Sequence, residues 1–225
     1  MPTPITIHVR NNSKFAQNFF VFQKPASYIG GQQVYCNSLY MRALPPHVGS
    51  GIILTFSVAP QVYAGVQRQT SPPMVGAPSG QSAVFQAIDL TPASGPPTNN
   101  ATTMTSSPSL SLSQPVFQPG VQTGAFRITT SMFNPANENY NVGSAVQTLA
   151  GDITLSSFVT AQPSSNQDCQ PVSIFYVQTG SYSSGMVMNF SSAAPTAATC
   201  DATSGYSTFD VHYNANGTWT VINSV

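Results

Sequence analysis

Charge is the property that this sequence has least of. Its 225 residues include six basic and six acidic side chains, which cancel to a formal net charge of zero at pH 7. Charged residues make up 5% of the chain, whereas an ordinary soluble domain has about 25%. Because little electrostatic repulsion keeps its copies apart, such a chain tends to self-associate. Its solubility has to come from the uncharged side chains of Ser, Thr, Asn and Gln.

The shortage of charge excludes several classes of function. The basic residues form no cluster that could neutralise several phosphates, so nucleic acid is not an expected partner. They are Arg10, Lys14, Lys24, Arg42, Arg68 and Arg127. The acidic residues form no calcium-loop motif and no evident pair for glycoside hydrolysis. They are Asp89, Glu138, Asp152, Asp168, Asp201 and Asp210.

Histidine is equally scarce, with His8, His47 and His212 far apart in the chain and none in a zinc-binding spacing. Asp210 and His212 share one strand face, which is the arrangement that could orient an imidazole beside a serine. The chain has no G-x-S-x-G motif to supply that serine, so a solvent-facing polar pair is the preferred interpretation. We therefore predict that the protein is not an enzyme and that it has no metal site and no cofactor.

Cysteine occurs three times, at Cys36, Cys169 and Cys200. An odd and sparse count does not indicate a disulfide framework. A Cys169–Cys200 disulfide stays open as an alternative; it would add about 3 to 4 kcal/mol in an oxidising compartment by the loop-entropy model. The chain shows neither a secretory leader pattern nor 18 consecutive apolar residues. We expect a cytoplasmic protein without a transmembrane segment, with leaderless export as the alternative.

Short apolar runs with turn residues between them are what the sequence does contain. Ile5, Ile7 and Val9 alternate with polar residues, which is typical of a half-buried strand. Residues 208–222 predict a hairpin around the turn pair Asn216-Gly217. No segment has the spacing of a long helix. The pattern predicts a single all-β domain over residues 1–225, an antiparallel β-sandwich or jelly roll.

A segment rich in Pro, Ser and Thr interrupts this pattern. Pro92, Pro96, Pro97, Pro108, Pro115 and Pro119 all fall within residues 91–122. Such a composition is typical of a linker or an exposed loop. We predict a long irregular insertion at about residues 91–122.

Aromatic residues near the end of the chain form the candidate binding site. Trp219, Tyr206 and Tyr213 could make a platform on which a sugar ring stacks, with Asn and Gln amides binding its hydroxyls. The alternative is that the same rings pack within the hairpin and the core.

The opening of the chain resembles a known family. A strand ending in Asn12-Ser13 is followed by the element Phe22-Gln23-Lys24-Pro25 and by a strand ending in Thr55-Phe56-Ser57. Over residues 5–58 this order is similar to the start of the RhiA-like proteins, the rhizosphere-induced protein and its relatives. The resemblance implies an abundant, condition-induced soluble protein without a defined enzymatic activity, and it transfers no catalytic residues.

These observations favour a non-catalytic β protein that acts through its surface. The first hypothesis is self-association, as a homo-oligomer or ordered assembly with a structural, storage or host-interaction role. The second is a lectin-like module that binds glycans. The third is a membrane-acting toxin, against which the absence of an amphipathic helix and of a basic face argues.

Overall fold

The computed structural model describes residues 3–30 and 32–225 and confirms the all-β prediction. Strands take up 49% of the chain and helices 6%. The helical elements of these residues are single turns: α1 (His47–Ser50), α2 (Phe190–Ala193) and the 3-10 turns Ala194–Thr196 and Ala202–Ser204.

Strands of very different length build the molecule. In the described residues they are β1 (Ile5–Asn11), β2 (Gln17–Gln23), β3 (Ser27–Tyr28), β4 (Tyr35–Leu44), β5 (Leu54–Arg68), β6 (Gln81–Ala87), β7 (Ala101–Thr105), β8 (Ser111–Leu112), β9 (Phe126–Thr130), β10 (Tyr140–Thr148), β11 (Ile153–Thr160), β12 (Asn166–Gln170), β13 (Ile174–Thr179), β14 (Val187–Met188), β15 (Ala198–Asp201), β16 (Thr208–Tyr213) and β17 (Trp219–Ser224).

The larger sheet has twelve strands and curls into a nearly closed, barrel-like cylinder. Its main path is β15-β13-β2-β4-β11-β10-β5-β1-β16-β17, with β14 added beside β4 and β6 beside β5. The two ends of the path, β15 and β17, lie side by side. No backbone pairing joins these two strands in the described residues. We call this line of contact the seam.

Most neighbouring strands are antiparallel, as predicted, but two pairs are parallel: β1 with β16 and β7 with β9. Short turns connect antiparallel neighbours, whereas parallel neighbours need a long connection. In the first pair that connection is most of the chain, since Ile7 lies opposite Phe209. The sequence patterns therefore indicated the strands but not this pairing.

The smaller sheet, with the order β3-β12-β9-β7-β8, covers one face of β5, β10 and β11. The first core lies inside the curled sheet and includes Ile7, Phe19 and Phe209. The second lies between the two sheets and includes Val142 and Phe126. In this second half of the molecule the sheets face each other as in a sandwich.

Strand β5 connects the two cores. It is a single strand of 15 residues that continues through Pro60. Leu54 and Phe56 contact the first core, and Ala64 and Val66 contact the second. Side chains two residues apart share one face of a strand, so a single face of β5 serves both cores.

The prediction for residues 91–122 needs a correction, because this segment supplies β7 and β8 to the smaller sheet. Met104 of β7 is fully buried. The segment is held by its own chain: Thr102 Oγ1 donates to the Ser113 carbonyl oxygen at 2.7 Å, and Asn100 Nδ2 donates to Thr91 Oγ1 at 2.9 Å. The threonines that made the segment look like a polar linker are β-branched, which favours a strand.

The curled sheet has two ends that differ in character. At one end lie the start of β1 and of β16, because Thr6 is paired with Thr208. We call it the cavity end. At the other, Asn11 is paired with Tyr213, and Leu54 begins β5 opposite Val9. We call it the loop end.

Candidate functional site

A cavity of about 750 Å³ opens at the cavity end of the curled sheet. Small-molecule sites in proteins occupy about 300 to 1,000 Å³. No charged side chain of the described residues lines this cavity. A site of this size without charge suits an uncharged small molecule.

The floor of the cavity is apolar and belongs to the first core. Val58, Val146 and Phe175 line it and are themselves at most 7% exposed. Two irregularities leave the space open: Pro60 lies within β5, and the register of β10 against β5 shifts between Val146 and Thr148. Such irregularities in a sheet often occur beside binding sites because they redirect side chains.

Polar side chains surround this floor. Gln23 is 5% exposed, and its Nε2 donates to the Val172 carbonyl oxygen at 2.9 Å. Its Oε1 has no hydrogen-bond partner among the described residues. A buried acceptor without a partner costs about 1 to 3 kcal/mol. Ser173, Ser207 and Thr208 add hydroxyl groups to the same wall.

Tyr206 stands at the rim of the cavity and is 38% exposed. A tight turn holds it there. The Asp201 carboxylate accepts from the Thr203 backbone N–H at 2.9 Å and caps the 3-10 turn. Gly205 then takes the left-handed conformation at φ 89°, which glycine adopts without steric cost. Asp201 is therefore a turn residue here, and its turn places an aromatic ring at the cavity.

The other two aromatic residues predicted for the site lie elsewhere. Tyr213 and Trp219 are at the loop end with ring centroids 4.8 Å apart, and both rings contact Phe19 edge-on. The Trp219 indole N–H donates to the Thr196 carbonyl oxygen at 2.9 Å across the seam. Tyr206 precedes β16 at the cavity end and Tyr213 ends this strand, so the length of β16, about 17 Å between its first and last Cα atoms, separates them. The structure thus does not bring the three rings together.

The polar residues weighed for catalysis or metal binding are also dispersed. His8 Nδ1 is hydrogen-bonded to Thr55 Oγ1 at 3.0 Å, and Asp210 lies 4.0 Å from Arg10. Among residues 3–30 and 32–225, no group of three or more His, Cys, Asp and Glu side chains is close enough to hold a metal ion. No helix in these ranges is long and apolar enough to cross a membrane.

The three cysteines are buried and unbridged, so the Cys169–Cys200 disulfide is not present. Cys200 lies in the first core and Cys169 in the second, and this placement keeps the two apart. Burial raises the pKa of each thiol to about 12, including that of Cys36. A neutral thiol is a poor nucleophile, so none of the three has the properties of a catalytic cysteine.

Comparison of the chain with protein-family models, with curated proteins and with solved structures gives no match. The resemblance of residues 5–58 to the RhiA-like proteins therefore stays a prediction. The function has to be argued from the cavity and the surface.

Proposed function

We propose that the protein is a non-catalytic binding protein that takes an uncharged small molecule into the cavity end of its curled sheet. The observation that carries this proposal is the cavity of about 750 Å³ whose described lining has no charged side chain. Burying an unpaired charge in such surroundings is strongly unfavourable, so the cavity selects against ions.

The lining also indicates the chemistry of the ligand. Val58, Val146 and Phe175 offer an apolar floor to the body of the molecule. Ser173, Ser207 and Thr208 offer hydroxyl groups that can exchange hydrogen bonds with the ligand. Tyr206 at the rim can stack on a flat or cyclic group. A hydroxylated ring compound meets all three conditions, and neutral sugars belong to this class, which keeps the lectin hypothesis in the proposal.

The first test fills the cavity. Ser207→Trp places an indole where a hydroxyl now lines the wall, and we expect binding of the neutral probe Nile Red and of any neutral saccharide that binds the native protein to weaken about tenfold or more. Fluorescence titration measures the probe and calorimetry measures the sugars. The matched control is Ser204→Trp, because Ser204 is exposed in the neighbouring turn and does not line the cavity.

Two outcomes would count against the cavity. One is a native protein that binds neither the probe nor any member of a neutral saccharide panel. The other is equal loss of binding in Ser207→Trp and Ser204→Trp, which would locate the binding in the turn itself. Tighter binding of charged analogues than of neutral ones would also contradict the proposal.

Self-association is a second candidate function, and strand β6 supports it. β6 pairs with β5 along one edge, and no described strand pairs with its other edge. Its sequence, QSAVFQA, contains no charge and no proline. Charged residues and prolines are the features that normally prevent a free edge from pairing with another chain. With zero net charge, little repulsion opposes that pairing.

A single lysine tests this edge. We expect Ala83→Lys to weaken self-association about tenfold or more, because the exposed Ala83 side chain lies on β6 and a second copy would bring two lysines together. Light scattering over a range of protein concentrations measures the effect. Ala136→Lys adds the same charge to an exposed loop and should leave association unchanged. A native protein that stays monomeric at every concentration would refute this candidate.

A further inference from the structure

The loop end exposes large apolar side chains on two neighbouring loops, residues 12–16 and 45–53. Phe15 is 74% exposed, Val48 84%, Ile52 42% and Ile53 37%. We call these four residues the apolar tip. Single apolar residues on a surface are ordinary, but four on adjoining loops at one end of a molecule indicate an interaction site.

The two loops are tied together by one buried amide. The side chain of Asn11 is fully buried, and its Nδ2 donates to the Phe15 carbonyl oxygen at 2.8 Å and to the Leu44 carbonyl oxygen at 3.0 Å. Phe15 belongs to the first loop and Leu44 leads directly into the second. The amide therefore fixes the spacing of the two loops.

The second loop is also braced from within. Ser50 Oγ donates to the Pro46 carbonyl oxygen at 2.6 Å, and Gly51 N–H donates to the His47 carbonyl oxygen at 2.9 Å. His47 Nδ1 lies 3.1 Å from the Ile52 carbonyl oxygen. These bonds satisfy the loop backbone and leave the side chains of Val48 and Ile52 pointing away from it. The exposed side chains are thus held outward by a structured loop.

The two loops of the apolar tip carry charge of one sign. Lys14 is next to Phe15, and Arg42 lies near the end of β4; both side chains are exposed. Residues 12–16 and 41–53 contain no acidic residue. In a chain with six basic residues in all, two stand beside the apolar tip.

We propose that the loop end docks on an anionic membrane surface, with the apolar tip entering the headgroup region and Lys14 and Arg42 facing the lipid phosphates. Protruding apolar side chains flanked by basic ones match such a surface, whose anionic lipids attract each nearby Lys or Arg. A second copy of the chain fits less well, because two loop ends in contact would bring Lys14 and Arg42 of one copy close to the same positive residues of the other. The docking is peripheral, with the apolar tip reaching no deeper than the headgroup region.

Trp219 supplies a built-in probe. It is the one tryptophan of the chain and lies at the loop end, since it is paired with Tyr213, which itself faces Asn11. We expect energy transfer from Trp219 to dansyl-labelled lipid in vesicles of phosphatidylcholine with phosphatidylserine, and much less with phosphatidylcholine alone. The double variant Phe15→Ser/Val48→Ser should bind the anionic vesicles about tenfold more weakly or worse, because it removes apolar area that docking would bury.

The matched control is Val116→Ser/Phe117→Ser, which makes the same two changes in exposed residues of the loop beyond the smaller sheet. It should bind vesicles like the native chain. Lys14→Ser/Arg42→Ser should lose the preference for anionic lipid, and it serves as the second test if the tip variant does not fold. Ser207→Trp should keep vesicle binding, since the cavity is at the opposite end, so this proposal and the ligand proposal fail separately.

Three results would overturn the membrane proposal. The first is no transfer between the native protein and anionic vesicles. The second is equal loss of binding in the tip variant and in its control. The third is a tip variant that binds vesicles normally but has lost self-association by light scattering, which would make the apolar tip a contact between copies of the chain.

Discussion

Gly143→Ala is expected to lower the free energy of unfolding by about 3 kcal/mol, at the upper end of what overpacking a core normally does. A Cβ added at this position would clash with the Ser157 carbonyl oxygen. The same Cβ would lie 2.5 Å from the Tyr28 hydroxyl oxygen and 2.7 Å from the Phe158 Cα. Two of these three atoms belong to the backbone, so no side-chain rotation can relieve the clash. The Tyr28 hydroxyl donates to the same Ser157 oxygen at 2.8 Å, so the substitution also disturbs a buried hydrogen bond.

The matched control lies directly across the strand pair. Gly65 of β5 is opposite Gly143 of β10, but its added Cβ would meet the side chains of Leu155 and Phe85, which can rotate. We therefore expect Gly65→Ala to cost about 1 kcal/mol, at the lower end of the overpacking range. Urea unfolding followed by circular dichroism measures both variants. Equal losses of stability in the two variants would show that contact with the backbone of β11 is not the reason why position 143 requires glycine.

Arg127→Met is expected to lower the free energy of unfolding by about 3 to 5 kcal/mol, because it leaves a buried carboxylate without its positively charged partner. Asp168 is 6% exposed, and Arg127 donates two hydrogen bonds to it, from Nε to Oδ1 at 2.5 Å and from Nη2 to Oδ2 at 2.7 Å. The two residues lie opposite each other on β12 and β9. The hydrogen bond to the Asp168 carboxylate raises the pKa of Arg127, so the carboxylate stabilises the charged guanidinium.

The double variant Arg127→Met/Asp168→Leu separates the two contributions. Replacing a buried ion pair by apolar residues of similar size is often close to neutral, whereas removing one partner is not. We expect the double variant to recover most of the stability that Arg127→Met loses, in the same urea experiment. A double variant as unstable as the single one would mean that the pair is held by packing and not by charge.

Local patterns in the sequence were enough to predict most of the strands but not how the strands are arranged in the sheets. The hairpin of β16 and β17 could be predicted because Phe209 and Val211 alternate with polar residues and a glycine turn follows. The parallel pairing of β1 with β16 could not, since it joins strands about 200 residues apart and no turn specifies it. Strands β7 and β8 escaped prediction because proline and hydroxyl residues dominate their surroundings.

The candidate site depends on that long-range arrangement, which is why only part of it could be predicted. Tyr206 was among the predicted site residues, as one of the aromatic residues near the end of the chain. Gln23 and Ser207, which share the cavity with it, come from opposite ends of the chain and meet because the sheet curls. Tyr213 and Trp219 are aromatic like Tyr206, but the fold places them at the loop end, where their rings pack against Phe19.

The buried thiols give each part of this fold its own chemical reporter. Cys200 lies in the core inside the curled sheet, Cys169 in the core between the sheets, and Cys36 in a third cluster with Phe20 and Phe22. A thiol-specific reagent reaches each one only when the surrounding core opens, and opening exposes a thiol whose pKa falls back from about 12 towards its ordinary value. The labelling rates of three cysteines in one molecule thus resolve local opening of the three clusters that hold them, without a single engineered residue.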